Sequence, residues 1–251
     1  MTAQRVAAIY DIHGNLPALD AVLADVRRAR VDHIVVGGDV VPGPMALEAL
    51  TRLLELDLPV QFIRGNGDRE VLARMRGIET GTVPERFRPV MDWVAAQLRP
   101  EHAAMIAGWP ETARMEIAGI GAVHFCHATP RNDTEIFTRT TPDEQLAAVF
   151  AGIDTPLVVC GHTHMQFDRM VGATRVVNAG SVGMPFAEPA AYWLQLGPGV
   201  ELRRTDYDLE AAAERVRATR YPHAEEFAAR DVLHPPTEHE MLERFSAVEI
   251  R

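Results

Sequence analysis

Short β-rich runs alternate with amphipathic stretches over the first quarter of the chain. Residues 5–10 (RVAAIY), 33–36 (HIVV) and 60–63 (VQFI) are almost wholly apolar and of strand length, the pattern of strands covered on both faces. Between them, Leu19, Val22, Leu23 and Val26 recur at helical spacing within 16–30, and Leu47, Leu50, Leu53 and Leu54 do so within 46–56. Each set predicts a surface helix with one apolar face, and the strand–helix–strand succession predicts βαβ units that build a sheet.

From 69 to about 110 the pattern turns to helices and polar turns, with helical runs at 69–76, 87–98 and 100–107. This stretch reads as a helical cap inserted into the fold. Closely spaced β-rich runs follow at 112–117, 121–126, 157–160, 174–177, 191–196 and 201–205, interrupted by one helical run at 142–150. Such spacing predicts a second and more antiparallel sheet. A C-terminal segment, about 207–251, is helical in pattern at 209–220 and 237–245, broken by Pro222, Pro235 and Pro236. The expectation is one α/β domain over 1–251. It consists of two facing mixed β-sheets flanked by helices, a four-layer αββα sandwich with a helical insertion.

Composition narrows the function. With 251 residues and 47% hydrophobic content, the chain can bury a sizeable core. Its 25 basic against 35 acidic residues leave a net charge of −10, which argues against an extended nucleic-acid surface, because affinity there comes from many cationic side chains. No signal-like segment and no apolar run near the ~18 residues of a membrane span occurs, so a cytoplasmic protein without a membrane is expected. Cys126 and Cys160 each lie in an apolar run, as buried free thiols do.

Five short motifs each follow a predicted strand: Asp11-Ile12-His13-Gly14-Asn15, Gly38-Asp39, Gly65-Asn66-Gly67-Asp68, Cys126-His127 and Gly161-His162-Thr163-His164. Loops at strand ends form sites because the strands fix the geometry while the loops free the side chains. The donors are carboxylate and amide oxygen and imidazole nitrogen, and strand alternation turns Cys126 away from His127. That mixture suits Mn, Fe, Zn, Co or Ni more than Ca or Mg. Asp11 and His13, one residue apart, can reach one ion, and His162 and His164 can serve one ion each. A carboxylate such as Asp39 can bridge two cations ~3.5–4 Å apart, the separation useful for phosphoryl displacement. Gly14, Gly38, Gly65 and Gly161 adjoin these donors, where the chain must turn sharply.

The ordered set resembles the calcineurin-like metallophosphoesterase family, whose pattern is D-x-H, G-D, G-N-H-D/E, H and G-H-x-H, and the resemblance covers residues 5 to 205. It implies two divalent transition-metal ions, with Mn first among the candidates. Asp11, His13 and His164 would bind one ion, Asn66, His127 and His162 the other, and Asp39 would bridge. It also implies a metal-activated hydroxide attacking phosphorus in line. Where the family has His, this chain has Gly67; small bacterial and archaeal phosphodiesterases of the family are similar in lacking that His, which acts on the leaving group or the transition state. Arg131, in the run Ala128-Thr129-Pro130-Arg131 after the metal His, is a candidate to hold substrate phosphate through its planar donor fork. Asp39, Asn66 and Arg131 are thus the candidate catalytic residues.

Other polar residues have simpler readings. Asn15 ahead of Leu16-Pro17 reads as a helix N-cap, and so does Asp68. His124 lies three positions before His127, on the opposite strand face. His33, His102, His223, His234 and His239 fall in no constellation, and the apolar spacing at 87–98 reads as packing. The reading is a metal-dependent hydrolase of phosphomonoesters or phosphodiesters. Its substrate would be small and phosphorylated, such as a nucleotide or phosphodiester; a phosphoprotein also fits, and a homo-oligomer is compatible. The alternative is an interaction scaffold that keeps the fold with faded catalysis, for which Gly67 is the one support.

Overall fold

The computed structural model describes residues 2–248 and 250. Residues 1, 249 and 251, which fall in the expected domain span and C-terminal segment, lie outside the described residues. The chain opens with β1 (Val6–Ile9), α1 (Leu16–Ala29), β2 (His33–Val36), α2 (Ala46–Leu54), β3 (Val60–Phe62) and α3 (Asn66–Met75). α4 (Arg88–Ala95) and α5 (Pro100–Ala107) follow, then β4 (Thr112–Ile117), β5 (Gly121–Cys126), α6 (Asp143–Phe150) and β6 (Leu157–Cys160). Four strands come next: β7 (Phe167–Val171), β8 (Thr174–Asn178), β9 (Ala191–Leu196) and β10 (Val200–Thr205). The last elements are α7 (Leu209–Arg217), α8 (Ala224–Phe227), a π-helical stretch Ala228–Leu233 and α9 (Glu238–Phe245).

Local chemistry sets these bounds. Asn15 caps α1 by accepting from Ala18 N at 3.2 Å, Pro17 occupies the first turn, and Arg30 in left-handed backbone ends the helix, so start and stop are both encoded. In α3 the N3 carboxylate of Asp68 accepts from Gly65 N at 3.1 Å. Thr237 and Glu240 form a reciprocal capping box at the start of α9, each satisfying an orphan backbone N–H.

The strands form two five-stranded sheets, ordered β10-β9-β1-β2-β3 and β4-β5-β6-β8-β7. In the first, β1, β2 and β3 run parallel, and β9 and β10 add antiparallel at the other edge. In the second, β5, β6 and β8 run parallel, with β4 and β7 antiparallel at the edges. Both sheets are mixed and flanked by helices, as the pattern predicts. The second, however, is no more antiparallel than the first, because the late run β9–β10 returns to pair with β1. β7 escapes the pattern: only its ends, Phe167 and Val171, are buried, and Asp168 and Met170 face solvent, as on an edge strand.

Strand alternation builds the layers. Ala7, Ile9, Ile34 and Val36 face one apolar cluster with Leu19, Val22 and Leu50 of the first helices. Val6, Ala8, Tyr10 and Val35 face a second cluster with Val123, Phe125, Leu157 and Val159 of the other sheet. Val158, Cys160 and Val176 face a third with Leu146, Val149 and Phe150 of α6. Three clusters separate four layers, which is the αββα arrangement. Cys126 and Cys160 are buried free cysteines. Among the described residues, no helix is long and apolar enough to cross a membrane.

Phe125 has no exposed surface between the two sheets, so Phe125→Ala removes an aromatic ring from a site with little freedom to collapse. Urea unfolding of the variant should show a loss of ~3–5 kcal/mol; a loss below ~1 kcal/mol would contradict the facing-sheet core.

Candidate metal centre

β1, β2 and β3 run parallel, as do β5 and β6, and the loops at their C-terminal ends bring the five motifs together. The two sets of loops are tied across the sheets: His162 N donates to Asp11 Oδ2 at 2.9 Å, and His127 Nδ1 donates to Gly37 O at 2.8 Å. The backbone here is unusual. Asp11 (φ 52°), His13 (46°), Asp39 (51°), His162 (66°) and His164 (57°) are in left-handed conformation. Among the described non-glycine residues only Arg30, the C-terminal cap of α1, shares it. A side-chain-bearing residue adopts this region at a cost of ~1–3 kcal/mol, and the surroundings hold it there. Asp11 N donates to Gly38 O at 3.1 Å and His13 N to Asp39 O at 2.9 Å, while Ser181 Oγ donates to Asp11 O at 2.7 Å. Gly38 is required: a Cβ there would stand 2.6 Å from Gly65 Cα and 2.7 Å from His127 Nδ1.

The strained loops aim their donors at one another. His13 Nε2 lies 3.2 Å from His164 Nε2, which lies 3.3 Å from Asp11 Oδ1. Across the site, the Asn66 amide is 2.9 Å from His127 Nε2 and 3.0 Å from His162 Nδ1. These separations match neighbouring donors around an ion with bonds of ~2.1 Å. Asp39 stands between the halves, with Oδ2 3.8 Å from His13 Nε2 and Oδ1 3.7 Å from His127 Nε2. Asp11 Oδ1 is 3.9 Å from both of those nitrogens, farther than from His164.

Three imidazoles are oriented by backbone carbonyls. Nδ1 of His13 donates to Pro42 O at 3.2 Å, that of His127 to Gly37 O, and that of His164 to Met184 O at 2.7 Å. With the proton on Nδ1, each Nε2 presents its lone pair to the centre, the tautomer a cation needs. Met184 is itself held by its N–H donating to Ser181 Oγ at 2.8 Å, and Asn178 Nδ2 donates to Gly161 O at 2.7 Å. The run Asn178-Ala179-Gly180-Ser181 thus braces the loops of Asp11, His162 and His164. The signal for this run in the sequence is a polar, glycine-containing turn directly after a buried strand.

Burial and mutual charge shape the titration. Burial opposes ionisation of Asp11, yet the positive charge of His164, with that of His127 and His13, holds it well below the usual carboxylate range. Burial opposes protonation of His164 and His127, but the Asp11 and Asp39 carboxylates raise both above the ordinary imidazole value. His162 goes the other way, pushed down to about 4 by burial and by His127. Asp68 is pushed up to about 7 by burial and by Asp39. It accepts from Asp39 N, Val40 N, Val41 N and Gly65 N at 2.9–3.2 Å, so its capping role extends to the whole Asp39 loop.

The donor set fits divalent metal ions. Asp11 Oδ1 is buried without a hydrogen-bond partner, a costly state for a carboxylate oxygen that a cation would relieve. Among the described residues, Asp11, His13 and His164 can hold an ion, as can Asp11, Asp39 and His127. All of Asp11, His13, Asp39, Asn66, His127, His162 and His164 therefore converge. Arg131 does not: it is exposed, locked in a pair with Glu135 at 2.6 Å, and absent from the cavity over the centre. Glu135 takes its Nε and Nη2 donors outside that cavity, an arrangement that does not support the expected contact of Arg131 with substrate. His124 is also outside, on the outward face of β5 with neither ring nitrogen hydrogen-bonded. That cavity, about 730 Å³, is lined by His13, Asp39, Asn66 and Gly67 on the side of the centre. Residues of 82–91 and 221–244 line its other walls.

Two facing mixed sheets with a buried oxygen-and-imidazole centre at their strand ends define a metallophosphoesterase. Residues 5–195 match the calcineurin-like phosphoesterase superfamily domain, and the chain belongs to that family. It is similar to a metallophosphoesterase from Sphaerobacter thermophilus, with 27% identity, a TM-score of 0.70, and coverage of 91% of this chain and 99% of that one. An uncharacterized protein of Methanocaldococcus jannaschii is 27% identical over 242 residues, 88% of this chain and 96% of the relative. A hypothetical protein of Pyrococcus horikoshii OT3 shares the fold at 20% identity and a TM-score of 0.75, over 94% of this chain and 100% of that one.

Protons and cations compete for the same Nε2 atoms, and His127 and His164 hold protons above the ordinary imidazole value. Metal affinity should therefore rise with pH as these protons leave. Calorimetric titration with Mn²⁺ should give a Kd at least ~10-fold weaker at about pH 6 than at about pH 8, with protons released on binding; a pH-independent Kd would contradict the ligand set.

Proposed function

We propose that this protein is a dinuclear metal-dependent phosphoesterase that hydrolyses phosphomonoesters or phosphodiesters. In this reading Asp11, His13 and His164 hold one ion, Asn66, His127 and His162 hold the other, and Asp39 bridges. The observation that carries it is the position of Asp39, whose two oxygens face different imidazoles at 3.8 and 3.7 Å, one in each half of the donor set. Asp11 Oδ1, nearest His164, falls in the first half. An ion between Asn66, His127 and His162 would keep the amide oxygen facing His127 Nε2, where hydrogen bonding alone favours the nitrogen.

A bound ion pair supplies Lewis acidity and a nucleophilic water near neutral pH. The residues of the chain do the rest. Gly67 N donates to Asp39 Oδ1 at 2.7 Å, so the start of α3 fixes the bridging carboxylate. The three Nδ1–H bonds to carbonyls keep the imidazoles from rotating when substrate charge arrives. A side chain at position 67 would place its Cβ 2.7 Å from Pro42 Cγ and 3.0 Å from Asp39 Oδ1. Glycine is thus fitted to the packing here, and no imidazole stands there to protonate a leaving group. Esters with good leaving groups are the favoured substrates in consequence, and manganese is the first metal to supply. The location expected from the sequence remains cytoplasmic.

Purified protein given Mn²⁺ should hydrolyse chromogenic phosphomonoester or phosphodiester substrates, and chelation should abolish turnover. Asp39→Asn, shown folded by circular dichroism, should lose bound metal and at least ~10²-fold in kcat together, since it removes the charge that joins the two halves. An Asp39→Asn protein that keeps both would overturn the bridge. Wild-type protein that binds metal without any turnover would favour the scaffold reading.

A further inference from the structure

The wall of the cavity away from the metal centre carries charge that the hydrolytic reading does not use. All 25 basic residues of the chain are arginine. Fifteen of the described ones sit against a carboxylate. The three that line the cavity, Arg86, Arg230 and Arg244, do not. They come from three separate elements: the 3-10 turn Glu85–Phe87, the π-helical stretch Ala228–Leu233, and α9. Arg86 lies over the Phe87 ring at 4.5 Å, and Arg244 Nη1 meets Met241 Sδ at 4.0 Å. Arg86 and Arg230 lie near Glu226, and Arg230 and Arg244 near Glu240, and all three guanidiniums line the same cavity.

The acids of this wall are largely committed elsewhere. Glu70 is bound by Arg69 at 2.8 Å and by Thr80 and Thr82, and Glu226 is bound by His223 Nδ1 at 2.9 Å. Asp231, next to Arg230, is pushed up to about 7, mainly by burial and with Glu226 adding, against the pull of His164 and Arg230. With three guanidiniums against Glu226 and Asp231, the lining of this wall is more basic than the protein as a whole, whose net charge is −10. The same cavity is also lined by the apolar and aromatic side chains of Phe87, Val90, Met91, Phe186, Tyr221 and Phe227.

We propose that Arg86, Arg230 and Arg244 form a subsite for a second phosphoryl group, so that the natural substrate is a phosphoester whose apolar body ends in another phosphate. The inference rests on the phosphoesterase reading, because it needs the first phosphoryl group on the metal donors. A guanidinium stays charged at any physiological pH and offers a planar fork matched to phosphate oxygens. Three forks from three elements lining one cavity are suited to a dianion. The aromatic lining of the cavity favours a body that buries apolar surface.

The test uses the Mn²⁺-loaded protein and two inhibitor series, alkane-α,ω-bisphosphonates from propane to octane and the alkyl monophosphonates of matching length. Inhibition constants are read on chromogenic turnover, and Kd values on the same protein by calorimetry. One spacer length should bind at least ~10-fold more tightly as the bisphosphonate than as its monophosphonate, the gain of a desolvated charge-assisted pair. Arg230→Ala combined with Arg244→Ala should bring that ratio close to one, and Arg86→Ala should reduce it. Equal affinities at every spacer, or a preference that survives all three substitutions, would overturn the subsite. Absence of turnover in every protein would count against the phosphoesterase reading instead, and the calorimetric ratio would still decide the arginines.

Discussion

Two carboxylates and four imidazoles are packed into the meeting point of two sheets, and the protein has to make that concentration of polar groups tolerable. Asp11 is fully buried and Asp39 is 4% exposed. Neither has an arginine partner, and one oxygen of Asp11 has no hydrogen-bond donor at all. Carboxylates so placed are costly unless a cation compensates them. Much of the surrounding structure is explained by that requirement. Backbone carbonyls of Gly37, Pro42 and Met184 fix the imidazole tautomers. Backbone N–H groups brace the carboxylates, and five donors are held in left-handed backbone that an ordinary loop would relax. Strain of this kind persists only where neighbouring structure over-determines it.

The layers supply that over-determination. β1, β2 and β3 end side by side with side chains packed on both faces, so the loops that follow start from fixed points. The second sheet brings His127, His162 and His164 against them across a core that contains Phe125 and Tyr10. Asp68 joins the two roles: as the N3 residue of α3 it caps a helix, and with the same carboxylate it ties down three successive N–H groups of the Asp39 loop. A residue whose sequence context reads as simple capping thus also sets the geometry of the centre.

Much of this was legible in the sequence because the relevant signals are local. Apolar runs of strand length, helical spacing after them, and donor residues immediately beyond each strand identify the sheets and the seven converging side chains. What was not legible depends on partners distant in the chain. The return of β9 and β10 to the first sheet is decided by pairing with β1, 186 to 190 residues earlier by the register Ala8 to Leu194 and Val6 to Leu196, and no local pattern records it. Arg131 has the right chemistry and the right neighbour, but Glu135 four residues on claims its guanidinium. The bracing by Asn178 and Ser181, and the unpaired arginines of the cavity wall, likewise emerge only when separate elements are brought together.

The central claim is that the donors form two adjacent cation sites joined by Asp39, and diffraction at the manganese absorption edge from Mn²⁺-soaked crystals tests it most directly. The account predicts two anomalous peaks ~3.5–4 Å apart, one beside Asp11, His13 and His164, the other beside Asn66, His127 and His162, with the Asp39 carboxylate between them. A single peak at saturating Mn²⁺, or two peaks with Asp39 turned away from both, would contradict it.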